Sequence, residues 1–177
     1  MISITNNDIR LRALEPDDVE LLYRWENDTL AWRVSNTHAP LSKFILANYI
    51  KSSDRDIWES KELRLIIETN SGVPVGTIEL FDFDPYHSRA GIGIMIFETE
   101  ERRKGLAFNS IQILIQYVHN ELGINQLYAN VAESNQSSIQ LFKKLEFETV
   151  GLKKQWLKIP SGWEGEYLFQ KKLGSTF

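Results

Sequence analysis

Apolar and polar residues alternate along Ile9-Arg10-Leu11-Arg12-Ala13-Leu14, the period of a half-buried strand. Pro16 then suits the first turn of a helix, with Asp17 and Asp18 favourable at its positive end. Val19, Leu22, Tyr23, Trp25 and Glu26 continue that helix until Asn27-Asp28 stops it. A second helix is predicted from Ser42 to Lys51, capped by Ser42, with Ile45, Leu46, Tyr49 and Ile50 on one face. Leu63 to Thr69 reads as a strand that turns at Asn70-Ser71-Gly72 and pairs in a hairpin with Val73 to Phe83. Beyond the turn Asp84-Pro85-Tyr86-His87-Ser88, Arg89 to Phe97 is a further strand, and its apolar end predicts a buried central position.

The period then changes. Ala107, Ile111, Leu114, Ile115, Val118 and Leu122 trace one stripe of a helix from Leu106 to Leu122, which Gly123 ends. Gln126 to Val131 is strand, and Asn135 to Leu145 is helix with Ile139, Phe142 and Leu145 inward. Phe147 to Trp156 and Gly165 to Leu173 close the chain around Pro160-Ser161-Gly162. The order β-α-α-β-β-β-α-β-α-β-β predicts an α+β (mixed α/β) class, with helices on the faces of one sheet of about seven strands. No repeat or linker interrupts it, so a single domain over 1–177 is expected.

Composition narrows the function classes. With 42% hydrophobic and 25% charged residues in 177, the chain is an ordinary globular sequence with enough length for a core. It has no cysteine, hence no disulfide framework, no thiol nucleophile and no thiolate metal site. That is compatible with a reducing cytoplasm, and Met1-Ile2-Ser3-Ile4-Thr5-Asn6 has no signal-peptide pattern. No apolar run has membrane-spanning length, and a net charge of −4 without a basic stripe argues against nucleic acid. His38, His87 and His119 lack metal-site spacing, so no metal is expected. No G-x-S-x-G elbow points to a serine hydrolase.

The chemistry concentrates in Glu101-Arg102-Arg103-Lys104-Gly105-Leu106-Ala107, between the apolar strand and the long helix. Amides at a helix start lack intrahelical acceptors and sit at the positive end of the dipole. A glycine there lets backbone approach a ligand closely, and three basic neighbours add charge. The plain alternative is a solvated loop, but a turn after a central strand is where open sheets bind ligands. The expected ligand is a diphosphate carried by something larger. The G-x-x-x-x-G-K-[ST] and G-x-G-x-x-G patterns are absent at such positions. Gly91-Ile92-Gly93, inside a strand, marks a bulge or a close approach of backbone.

Arg102-Arg103-Lys104-Gly105-Leu106-Ala107 resembles the R/Q-x-x-G-x-G/A acetyl-CoA motif of the GNAT N-acetyltransferase superfamily. Asn135-Gln136-Ser137-Ser138-Ile139-Gln140-Leu141-Phe142-Lys143-Lys144-Leu145-Glu146-Phe147 is similar to its second motif, in which an Asn opens a helix ending in Gly-Phe. Ile9-Arg10-Leu11-Arg12, Val75-Gly76-Thr77-Ile78-Glu79-Leu80 and Trp156 resemble the branch of spermidine/diamine and ribosomal-protein N-terminal acetyltransferases. The resemblance implies a central mixed twisted sheet splayed between Arg89–Phe97 and Gln126–Val131, with acetyl-CoA as co-substrate in the split. It implies that backbone near Met95, Ile96 and Phe97 bonds the pantetheine arm, that Arg102 to Ala107 hold the pyrophosphate, and that Asn135 and Phe142 line the cofactor. Asn135 reads equally as a helix cap. Two positions depart from the family pattern: Glu146 stands where Gly is usual, and Phe142 where many members carry the Tyr that protonates the thiolate. Tyr128 reads as a core-facing strand residue, which leaves water, the ammonium product or another side chain to give that proton.

Direct transfer needs a neutral amine, hence a carboxylate to take its proton. Glu79, which matches the polyamine branch, is the favoured base, and Asn135, on the cofactor arm, is the other catalytic candidate. Glu79 and Asp82 have opposite strand parity, so only one faces the site unless a bulge intervenes. Glu26 closes the first helix near the acceptor mouth, and Trp32, Trp156 and Tyr167 are candidate acceptor walls for a cation. The acceptor is expected to be a polyamine or diamine. A protein N-terminal α-amine and a non-catalytic CoA-binding module remain alternatives. Exposed C-terminal edge strands suit a homodimer.

Overall fold

The computed structural model describes residues 4–5, 8–35, 37–53 and 55–174, with backbone alone for 33–35. Its strands are β1 (Ile4–Thr5), β2 (Ile9–Ala13), β3 (Leu63–Thr69), β4 (Pro74–Asp84), β5 (Arg89–Ile96), β6 (Gln126–Ala132), β7 (Glu148–Ile159) and β8 (Gly162–Lys172). Its helices are α1 (Val19–Glu26), α2 (Thr29–Ser35), α3 (Lys43–Ser52), α4 (Ile57–Ser60), α5 (Leu106–Leu122) and α6 (Gln136–Lys144). The strands form one eight-stranded sheet in the order β1-β2-β3-β4-β5-β6-β8-β7. The strand beyond the expected seven is β1, a two-residue rung pairing Ile4 with Leu11 and Thr5 with Arg10. Every neighbouring pair is antiparallel except β5 and β6.

Side-chain alternation sorts two apolar layers onto the two sheet faces. Ile9, Leu11, Ile67, Ile78, Leu80, Ile92 and Leu127 bury one face against Ile111, Leu114 and Val118 of α5 and Ile139 of α6. Ile66 and Phe97 bury the other against Leu22 and Trp25 of α1 and Leu46 and Ile50 of α3. Trp25 stacks on Phe97 at 4.9 Å and donates its indole N–H to Glu98 at 2.9 Å, which fastens α1 to the end of β5. Among the described residues no helix is long and apolar enough to cross a membrane.

Several local expectations change. A 3-10 turn over Pro16–Asp18 precedes α1, because Glu15 and Asp18 form a reciprocal capping box there. The two short helices α2 and α4 were not expected; the Asp56 side chain starts α4 by accepting from the Glu59 amide at 3.0 Å. Ile45 is exposed rather than on the buried stripe of α3, since Leu46 and Ile50 take the inward face. The final hairpin is tighter than expected, with Ile159 paired to Gly162, so its strands are longer.

Glu146 holds a left-handed φ of 62° just past α6, the conformation that a glycine would take there. Lys171 Nζ donates to the Leu145 carbonyl at 2.8 Å and lies 3.4 Å from the Glu146 carboxylate, which is 88% exposed. Such an exposed pair contributes little against a left-handed strain of about 1 kcal/mol. Glu146→Gly is therefore expected to raise Tm by about 2–4 °C, checked by thermal melting.

Candidate active site

The parallel pair β5/β6 is joined over three rungs only: Arg89 with Gln126, Ala90 with Leu127 and Gly91 with Tyr128. Past Gly91 the strands part, although β5 continues to Ile96 and β6 to Ala132. This explains why the apolar end of β5, expected to be buried, is half-buried from Gly93 to Ile96. The Phe97 amide donates to the Val75 carbonyl at 3.0 Å. Main-chain groups alternate sides in such a ladder, so Met95 and Phe97 turn toward β4. Ile94 and Ile96 turn toward the split, and Ile94 was missed because the side of each peptide depends on the register with β4.

The basic turn lies at the wide end of the split. Arg103 (φ 65°) and Gly105 (φ 82°) are both left-handed, and helical hydrogen bonding begins with the Asn109 amide on the Gly105 carbonyl at 3.0 Å. The amides from 103 to 108 make no hydrogen bond among the described residues. The three basic side chains divide. Arg102 Nε donates back to the Ile96 carbonyl at 2.9 Å and Nη2 to Phe97 at 3.5 Å, bracing the strand end. Lys104 pairs with Glu101 at 3.0 Å, while Arg103 has no ion pair among the described residues. Successive free amides at a helix start, with one uncommitted guanidinium, fit a diphosphate. Leu106 is buried beneath the turn and Ala107 half-buried.

Asn135 lies just past β6, at the other lip. Its Oδ1 accepts from the Ser138 amide at 3.2 Å and from Ser137 Oγ at 3.0 Å, so it caps α6. Its Nδ2 donates to nothing among the described residues. Phe142 is buried, edge-on to Phe147 at 5.0 Å and stacked with Phe169 at 6.0 Å.

On the α1/α3 face, Glu79 is directly opposite Gly93 across β4 and β5. A Cβ on residue 93 would sit 2.8 Å from Glu79 Oε1, so the missing side chain leaves that room to the carboxylate. A Cβ on residue 91 would likewise meet the Phe81 ring at 2.2 Å. Beyond Phe81 a bulge adds one residue to β4, and Asp82 takes φ 50°. The parity expectation is thereby corrected: Asp82 accepts from the Tyr128 hydroxyl at 2.7 Å, and Tyr128 sits edge-on to Phe81 at 5.7 Å, on the face of Glu79. Tyr128 also departs from its expected core-facing position. Burial and the Asp82 hydrogen bond push its pKa up to about 12. Asp82, Asp84, Arg89, Tyr128, Val150 and Leu168 line a cavity of about 550 Å³ that runs along the joined rungs of β5 and β6, away from the open end of the split.

Glu26 is not a surface residue at a mouth. It is buried and ion-paired with Arg64, and its carbonyl accepts from Trp32 Nε1 at 2.7 Å. Arg64 Nη2 also reaches Thr77 Oγ1 at 3.4 Å, and its guanidinium lies 5.9 Å from the centre of the Tyr49 ring. Arg64 went unread in the sequence; a lone arginine inside the apolar run Leu63 to Ile67 was the available signal. Burial raises the pKa of Glu79, Arg64 opposes this, and Glu26 and Glu62 add to it. The three aromatic candidates lie apart. Trp32 is on α2 against α1, Tyr167 packs near Phe169 in the α5/α6 core, and Trp156 is exposed under Lys153 Nζ at 4.9 Å. Among the described residues no group of three or more His, Asp or Glu side chains could hold a metal ion.

Residues 8–148 match the acetyltransferase (GNAT) domain. Spermidine N(1)-acetyltransferase of Escherichia coli (strain K12) is 27% identical over 143 residues, 81% of this chain and 74% of that protein. Human alpha/beta-tubulin-N-acetyltransferase 9 is 34% identical over 83 residues, 46% of this chain and 40% of that protein. The crystal structure of spermidine N-acetyltransferase from Vibrio cholerae in complex with CoA and spermine superposes with a TM-score of 0.85 at 21% identity, covering 95% of this chain and 97% of the other. At that identity the likeness is one of fold.

Proposed function

The chain belongs to the acetyltransferase (GNAT) family and is an acetyl-CoA-dependent N-acetyltransferase, and from that premise we propose that its acceptor is a polyamine or diamine. The observation that carries this reading is the bulge in β4, which brings Asp82 onto the face of Glu79. One carboxylate then serves the reacting nitrogen and a second, in the adjoining cavity, serves another cationic nitrogen of the same molecule. The similarity to the bacterial spermidine enzyme supports the same class.

Acetyl-CoA supplies the acyl group as a thioester. The free amides of Arg103 to Ala107 and the Arg103 side chain hold its pyrophosphate, and the main-chain groups of Ile94 and the amide of Ile96, whose carbonyl is taken by Arg102, pair with the pantetheine amides as an added strand would. Asn135 Nδ2 is oriented by its cap bonds and lies at the lip where that arm enters. Glu79 takes one proton from the substrate ammonium, which frees the lone pair for attack. Burial raises its proton affinity, which makes it a stronger base than an exposed glutamate. The nitrogen sheds its second proton to the departing sulfur, so the balance closes without a hydroxyl at Phe142. Trp32, beside Glu26, is the acceptor wall on this face. β7 is one edge of the described sheet, and its exposed Val150 and Trp156 make it the expected face for a second copy.

A second reading, transfer to a protein acceptor such as an N-terminal α-amine, draws on the similarity to the tubulin acetyltransferase, whose acceptor is a protein. Steady-state rates with spermidine, putrescine, propylamine and an α-amino peptide separate the two. Spermidine is expected to lead, and Asp82→Asn to lower its kcat/KM by about tenfold while sparing propylamine. Peptide turnover above that of spermidine would establish the second reading instead.

A further inference from the structure

Arg64 and Glu79 are direct cross-strand neighbours between β3 and β4. Residues so paired on one face hold their Cβ atoms about 4.5–5.5 Å apart. Arg64 is held from three sides, by Glu26 on α1, Thr77 on β4 and the Tyr49 ring on α3. Its Nε is buried with no hydrogen-bond partner among the described residues, so one donor of a locked cation is uncommitted. We infer that Arg64, clamped by Glu26, is a positioning residue that keeps Glu79 in its carboxylate form for the amine proton. The inference rests on Glu79 being the base.

The groups facing Glu79 make the case. Glu26 approaches from α1, Glu62 from the turn before β3 and Arg64 from β3, while Gly93 on β5 presents no side chain. Tyr49 on α3 lies beyond Arg64. Arg64 is the cation in this set, among carboxylates that repel Glu79 and a burial that disfavours its charge. Without Arg64, burial and the neighbouring carboxylates would act unopposed, and a larger fraction of Glu79 would be protonated at any given pH. The clamp has a second effect: the negative charge of Glu26 partly cancels the field that Arg64 exerts on Glu79. Removing Glu26 alone and removing both members of the pair must therefore move Glu79 in different ways.

The test is a pH titration of glutamate carboxyl ¹³C signals in ligand-free protein, with Glu79 assigned through Glu79→Gln. Glu26→Gln is expected to lower the Glu79 midpoint below wild type. Adding Arg64→Met to Glu26→Gln removes both members of the buried pair, so neither is left without its partner, and is expected to raise the midpoint by about one pH unit relative to Glu26→Gln. The acid limb of kcat/KM with spermidine should follow in the same order, whereas a merely structural role would change amplitude and leave the limb in place. Midpoints of the single and double variants within about 0.3 unit of each other overturn the inference whatever the rates do. Separated midpoints with a stationary limb leave Arg64's hold on Glu79 standing and remove Glu79 as the base. If the double variant does not fold, an unchanged midpoint in Glu26→Gln overturns the inference by itself.

Discussion

Glu79→Gln is expected to lower kcat/KM for amine acceptors by about 10²- to 10⁴-fold, the range ascribed to one general base. Glutamine fills the same room opposite Gly93 and cannot take a proton. Asp82 shares the face but lies beyond Phe81 and accepts the Tyr128 hydroxyl, so it is not placed to substitute. The pH profile gives the independent sign. A base must be ionised, so activity rises with pH through the Glu79 midpoint, which burial moves above the usual glutamate range. Wild type should show that displaced acid limb, and the variant should lose it. Stability should move the other way. A carboxyl whose folded pKa is raised binds its proton more tightly in the folded state, so its ionisation weakens the fold as pH rises through that midpoint. Glu79→Gln removes this loss, and its Tm near neutral pH should equal or exceed that of wild type. A variant within about threefold of wild-type kcat/KM excludes Glu79 from the proton transfer.

Gly105→Val is expected to weaken CoA binding by at least about 30-fold, some 2 kcal/mol, in titration calorimetry. At φ 82° a β-branched residue is strained, and its side chain would project beside the amides that open α5. Gly72, at the tip of the β3–β4 hairpin, supplies the control. Its φ is 81° and, as at residue 105, a Cβ would meet nothing within 4 Å. Gly72→Val should therefore lose a similar amount of stability, about 1–2 kcal/mol, and bind CoA as wild type does. Equal CoA affinity in the two variants would show that the turn before α5 is not the pyrophosphate cradle.

Local rules carried the element map far. Helix α5 begins and ends where Gly105 and Gly123 stand in the sequence, and the Asn70-Ser71-Gly72 hairpin closes with the Thr69 amide on the Val73 carbonyl at 2.9 Å. Ser42 and Asn135 cap the helices they were expected to open. These succeed because a turn or a cap is decided by residues a few positions apart. The candidate site was legible in its chemistry but less so in its arrangement. Arg102 was read as a phosphate ligand, yet its side chain returns to Ile96, a contact that exists only once β5 has its end in space. Glu26 and Arg64, separated by 38 positions, meet only when α1 packs on β3.

What the amino-acid order determined alone is the succession of strands and helices, the glycine-led turn before α5 and the presence of carboxylates on β4. Hydrophobic period, caps and glycine conformations are short-range properties, and they are written in neighbouring residues. What the tertiary structure decided is which peptide groups face the split, that a bulge at Asp82 turns two carboxylates of opposite parity to one face, and that a buried Arg64 stands beside Glu79. Those depend on strand register and on burial. A one-residue slip reverses every side chain of a strand, and the proton affinity of a carboxylate is set by whatever charges folding places around it.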